Sequence, residues 1–161
     1  MKSNYLISFD TLLITPTLVE GKLASQIIDK NLECVVLRKP LYLIRKSCLT
    51  LGLSYEMARK NAKSFFSNQH KLPIVISHQY GMPCIFFPTL SPSSPHNSWV
   101  GLHAVKRIDP SPEGCVLTLT TNQQLTLDIS YTTMLKQYAN ATLLYRHFKK
   151  EQQVLVHEAF F

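Results

Sequence analysis

Late in the chain the spacing of apolar residues changes from two to between three and four, and that change excludes both an all-helical and an all-β fold. Cys115, Leu117 and Leu119 alternate with polar residues, and Leu125, Leu127 and Ile129 do the same beyond a polar stretch at 121–124. Alternation sends every second side chain to one face of a strand, so the two runs predict an antiparallel hairpin with one buried side. Met134, Tyr138, Ala141, Tyr145 and Phe148 then recur at helical spacing. They predict a last helix, capped by Ser130 or Thr132 and reaching about Lys150, with this stripe turned to the core.

The earlier chain mixes the same two periods. Segments 5–9, 12–19 and 33–37 are rich in β-branched and large apolar residues and predict strands, with Gly21 offering a turn; 25–29 fits either state. Pro40 suits a first helical turn, and Leu41, Ile44, Cys48 and Leu51 repeat at helical spacing up to Gly52, leaving Arg45 and Lys46 outside. Ser54 predicts the cap of a second helix through Phe66, with Ala58, Ala62 and Phe65 inward and Arg59, Lys60 and Lys63 outward. The pair has the outline of a helix–turn–helix, an outline any helical hairpin shares. Apolar runs 72–77 and 82–87 flank a turn at 78–81. A Pro- and Ser-rich loop follows at 88–98, and 99–108 resumes as a strand. The expected architecture is a single α+β domain over 1–161: a largely antiparallel sheet, a basic helical pair in the middle and a C-terminal helix.

That helical pair carries the whole net charge. From 38 to 71 there are eight basic residues (Arg38, Lys39, Arg45, Lys46, Arg59, Lys60, Lys63 and Lys71) against Glu56 alone, a balance of +7. The remaining 9 basic and 9 acidic residues cancel. A neutral scaffold with one cationic segment is the electrostatic signature of a phosphate-binding face. A solvated basic surface without a partner has the same composition.

Other chemistries find little support. The four cysteines, Cys34, Cys48, Cys84 and Cys115, form no C-x-x-C pair and sit among apolar neighbours, as buried reduced thiols do. The six histidines show no i, i+4 pairing, so no metal is expected. Acids are scattered rather than clustered for two-metal phosphoryl chemistry, and the five glycines supply no phosphate-cradling loop. The expectation is therefore a protein without cofactor and not an enzyme. No apolar run reaches the ~20 residues needed to span a bilayer. Asp10 and Pro16 interrupt the first apolar stretch, unlike a signal peptide. A cytoplasmic location without membrane contact follows as the expectation.

A series of short strings then narrows the reading. Lys39-Pro40-Leu41 leads into Lys46-Ser47-Cys48, Gly52-x-Ser54-Tyr55 and Arg59-Lys60. After Pro73-Ile74 come Phe87-Pro88-Thr89-Leu90-Ser91, Pro95, Trp99 and Ile129-Ser130-Tyr131. In this order and approximate spacing the series resembles the ComK family, the competence transcription factors of Gram-positive bacteria, over about 25–147. The resemblance implies an activator of DNA-uptake genes that binds paired A/T-rich boxes on double-stranded DNA as a homo-oligomer. It also implies restraint by an adaptor to a Clp-type protease. Two departures stand out. Leu53 replaces a family Ser and Met57-Ala58 lengthens the step to Arg59-Lys60, and one added residue turns a helix face by about 100°. The chain also ends sooner after its last helix than better-known members, which puts the adaptor contact in doubt. Its final residues, 154–161, fit a degradation signal, a terminal strand or a dimer contact equally.

The candidate DNA-contacting residues are the eight cations of 38–71 together with Lys106 and Arg107, which fit either a second phosphate contact or a strand-end charge cluster. Arg38, Arg45 and Arg59 suit a narrow minor groove or guanine edges, while the lysines suit the phosphate backbone. Trp99 fits a core position better than a stacking platform. Two rival readings remain: a non-activating paralogue serving as a protein-interaction module or competitor, and a single-stranded nucleic-acid binder.

Overall fold

The computed structural model describes residues 2–66 and 70–160, with side chains as far as residue 150. It opens with three strands, β1 (Thr11–Val19), β2 (Lys22–Asp29) and β3 (Glu33–Val36). Two helices follow, α1 (Pro40–Leu51) and α2 (Tyr55–Phe65), then β4 (Ile74–Gln79), β5 (Met82–Pro88) and β6 (Trp99–Gly101). A short 3-10 turn, Leu102–Ala104, leads to β7 (Val105–Ser111), β8 (Gly114–Leu119) and β9 (Gln124–Leu127). The chain closes with α3 (Tyr131–Phe160). Six strands form one antiparallel sheet in the order β3-β2-β1-β6-β5-β4, and β7-β8-β9 form a second. The class is α+β.

The large sheet is covered on both sides, and strand alternation assigns the sides. Ile14, Ile27, Ile74, Ile76, Cys84, Phe86 and Trp99 pack with Leu43, Ile44, Cys48, Tyr55 and Ala58 of the two middle helices. Their neighbours Leu13, Ile28, Ile85, Phe87 and Val100 pack with Cys115, Leu117 and Leu119 of β8 and Met134, Ala141 and Leu144 of α3. The layers are therefore α1–α2, large sheet, then small sheet with α3. Each fully buried Leu, Ile or Phe in these cores contributes about 1.5–3 kcal/mol before the entropy of ordering the chain is counted.

Local chemistry sets the corners. Glu20-Gly21 and Tyr80-Gly81 all have positive φ, the two-residue turns whose twist matches a hairpin. The second connection is thus two residues long, shorter than the expected four. Thr89 and Asn97 close the Pro/Ser loop at its base: the Leu90 N–H donates to Asn97 Oδ1 at 2.9 Å and the Ser98 N–H to Thr89 Oγ1 at 3.0 Å. Ser130 caps α3 by accepting from the Thr133 N–H. Gln137, buried on that helix, donates to the carbonyls of Lys71 and Pro88, both at 2.9 Å, and so ties α3 to the chain entering β4 and to β5.

Several sequence expectations are corrected. Segment 5–9 is not a strand; it is irregular chain pinned to α1, where the Ile7 N–H donates to Ser47 Oγ at 3.1 Å. The ambiguous 25–29 is strand, paired on both sides by β1 and β3. The expected strand 99–108 is two strands in two different sheets, divided by the 3-10 turn. Phe65 is exposed and Phe66 is the buried one, because α2 ends at Phe65 and the extended backbone at Phe66 swings that ring inward. Finally, α3 runs to Phe160 rather than Lys150, so 154–160 is helix and not a terminal strand.

Candidate nucleic-acid interface

Ser54 begins α2 as anticipated, its Oγ accepting from the Met57 N–H at 3.2 Å. The side of α2 away from the sheet then carries Arg59, Lys60 and Lys63, all exposed. On α1 the outer positions are Tyr42, Arg45, Leu49 and Thr50, with Lys46 half-buried beside them. Arg38 and Lys39 precede α1, and Lys39 is its N-cap residue without a side-chain cap and without an acid in the first turn. Cations therefore stand at the positive end of the helix dipole, where an anion would be favoured. Ser25 Oγ donates to the Arg38 carbonyl at 2.7 Å and fixes this entrance to β2.

Three of these cations have protein partners, each of a different kind. Arg45 lies over the Tyr55 ring at 5.1 Å and pairs with Glu56 at 3.4 Å, tying α1 to α2. Both charged partners are more than half exposed, so the ion pair contributes only about 0–1 kcal/mol. The Tyr55 hydroxyl is pushed up in pKa by burial, against the opposing charges of Arg59 and Arg45. Arg38 lies over Tyr42 at 5.4 Å. Lys46 donates to Asn4 Oδ1 at 3.0 Å. Arg59, Lys60 and Lys63 show no acid within ion-pair distance among the described residues. Lys71 is half-buried just before β4, where its carbonyl accepts from Gln137 of α3 at 2.9 Å.

Seven of the ten candidate cations thus flank or lie on α1 and α2, with Lys71 beyond them. Lys106 and Arg107 do not join them. They project from β7, in the layer across the large sheet, where Lys106 donates to Asn122 Oδ1 and Arg107 pairs with Asp109 at 2.9 Å. Trp99 is fully buried under the two helices and is a core residue. The α3 stripe is also core, with Met134 and Ala141 fully buried and Tyr138, Tyr145 and Phe148 packed beside them. Cys48, Cys84 and Cys115 are buried and Cys34 half-buried, all as free thiols. Burial pushes Cys48 and Cys84 up to about 12. Among the described residues no group of three or more His, Cys, Asp or Glu is placed to hold a metal ion, and no helix is long and apolar enough to cross a membrane.

Sequence reading missed the two tyrosines beneath the arginines and the Arg45–Glu56 pair. Tyr42, four residues after Arg38, reads from the sequence only as an outer position of α1, and Tyr55, in the first turn of the next helix, shows no link to Arg45 until the hairpin angle is known. It also missed three exposed apolar side chains among the cations, Leu49, Leu53 and Met57, at 72%, 52% and 45% exposure.

By architecture this is an α+β protein that displays a cationic helical hairpin on one side of a two-faced sheet. The family profile described as ComK protein matches residues 2–153, and the chain belongs to that family. It is 26% identical over 147 residues to the competence transcription factor of Bacillus subtilis (strain 168), covering 91% of this chain and 76% of that protein. No solved structure matches. Several of the shared-looking strings are structural here: Ser54 and Ser130 are helix caps, Thr89 closes a loop, and Trp99 fills a core.

Proposed function

We propose that this chain is a cytoplasmic transcription factor, not an enzyme, and that it binds double-stranded DNA through the α1–α2 face. We further propose that it acts as an oligomer on A/T-rich promoter boxes of DNA-uptake genes. The observation that carries the reading is the asymmetry of charge: the net +7 of the chain is concentrated in the helical hairpin and its flanks, with a single acid, Glu56, among them. Such a face releases counterions on contact with phosphates, giving affinity that falls steeply with salt. Family membership and the likeness to a competence transcription factor supply the biological context. The lysines of α2 would grip the backbone and set register, while Arg38, Arg45 and Arg59 would reach into a groove.

The test is binding to a duplex with two A/T-rich boxes and to a scrambled duplex of the same composition, across a salt series. A preference of ~10³-fold or more supports a site-specific regulator. Equal binding to both removes sequence-specific regulation from the reading. A second reading, a protein-interaction paralogue, is favoured by the exposed Leu49, Leu53 and Met57 within the charged face. It predicts weak, sequence-indifferent DNA binding.

A further inference from the structure

Across the sheet from the cationic helices, a hollow of about 790 Å³ opens between β5, the 3-10 turn and α3. Its floor is Met82, Pro83 and Ile85 of β5, and Tyr138, Thr142 and Tyr145 form one wall at i, i+4 and i+7 along α3. The hollow is open to solvent on one side, and its volume is in the range of a site for a small organic ligand. Its polar groups are few. Thr142 Oγ1 donates to the Tyr138 carbonyl at 3.0 Å, whereas neither phenol hydroxyl has a hydrogen bond to the described protein. His103 forms part of the boundary, its Nε2–H donating to the Thr11 carbonyl at 2.8 Å. Burial lowers its pKa, so the ring is neutral at physiological pH. Lys30 is then the one charged residue of the lining. Its contact with Asp10 is 3.9 Å long and both side chains are about half exposed, so an incoming anion competes with it readily.

We infer that this hollow binds a small amphipathic acid, its apolar body against β5 and its carboxylate at Lys30, with the Tyr138 and Tyr145 hydroxyls available as donors. The chemistry excludes cationic amphiphiles and disfavours neutral ones. Nothing in this inference depends on DNA binding, since the hollow and the basic helices occupy opposite layers.

The probes are decanoate, decanol and decyltrimethylammonium, each below its micelle concentration, titrated calorimetrically into the full chain. Decanoate is expected to saturate one site per chain, with decanol at least tenfold weaker and the ammonium compound silent. Lys30→Met should bring decanoate down to the affinity of decanol, and Thr142→Trp should abolish both by filling the space. Because the tryptophan variant can fail to fold, its thermal unfolding is recorded beside it, and Lys30→Met, a change at an exposed side chain, stands alone as a test. Absence of saturable decanoate binding overturns the inference. So does equal binding of the ammonium compound, or a Lys30→Met protein that still prefers decanoate.

Discussion

Replacing Arg59, Lys60 and Lys63 together by alanine tests whether α2 is the phosphate-binding element. The three side chains are exposed, lack an acid partner among the described residues and share the outer side of one helix. Alanine is the best helix former, and the Ser54 cap and the buried Tyr55, Ala58 and Ala62 are untouched, so α2 persists. If each cation neutralises one phosphate, three lost contacts lower the slope of log affinity against log salt by about 2.7. Between 50 and 200 mM salt the parent should then lose ~40-fold more affinity than the variant. Fluorescence anisotropy with a labelled duplex reads both slopes. Lys106→Ala with Arg107→Ala is the control that the structure supplies. It also removes cations, but from the layer across the large sheet, and its slope should match the parent. If the control flattens the slope as much per charge as the α2 variant does, bulk charge governs binding and the assignment of a face is refuted.

Four further outcomes follow from the packing. Gly114 has φ of +144° and an added Cβ would lie 2.3 Å from the Leu127 carbonyl oxygen; Gly114→Ala should cost more than ~2 kcal/mol in urea unfolding, and a loss under ~1 kcal/mol contradicts this. Buried Cys48 and Cys84, pushed up to about 12, should resist a thiol reagent near pH 8 while half-buried Cys34 reacts. Those raised values keep the native state protonated where the unfolded chain ionises, so stability should fall as pH rises beyond about 9. His103 has the opposite linkage: its lowered pKa means the unfolded state binds the proton first, so stability is lost as pH falls below about 6.5. His103→Gln should flatten that acid limb, and an unchanged limb would show that the ring does not contribute.

Much of this molecule can be read in the sequence because period reports which faces are buried. The β8–β9 hairpin, the α3 stripe and the two basic helices all declared themselves by apolar residues two or three to four apart. Where the reading failed, a residue escaped its element's phase. Phe66 is buried by an extended backbone after the helix stops, so helical spacing pointed to Phe65 instead. The chain changes sheets between β6 and β7 through the Leu102–Ala104 turn, where His103 packs so close to Gly101 that an added Cβ would meet His103 Cε1 at 2.7 Å; local composition gives no sign of it. Lys106-Arg107 looked like part of a basic surface because sequence lists charges in order but does not say which layer receives them. The hollow beside α3 was equally hidden, since its lining comes from segments more than a hundred residues apart.

The two-sided packing of β5 restricts how lineages of this protein can change length. Cys84 and Phe86 serve one core and Ile85 and Phe87 the other. Adding or deleting one residue there would hand every later side chain of the strand to the wrong neighbours. Both cores would then be damaged by a single genetic event, so no compensating change on one side could rescue it. Insertions and deletions should therefore collect in the 89–98 loop, whose base is closed by Thr89 and Asn97 and whose tip is not part of either core.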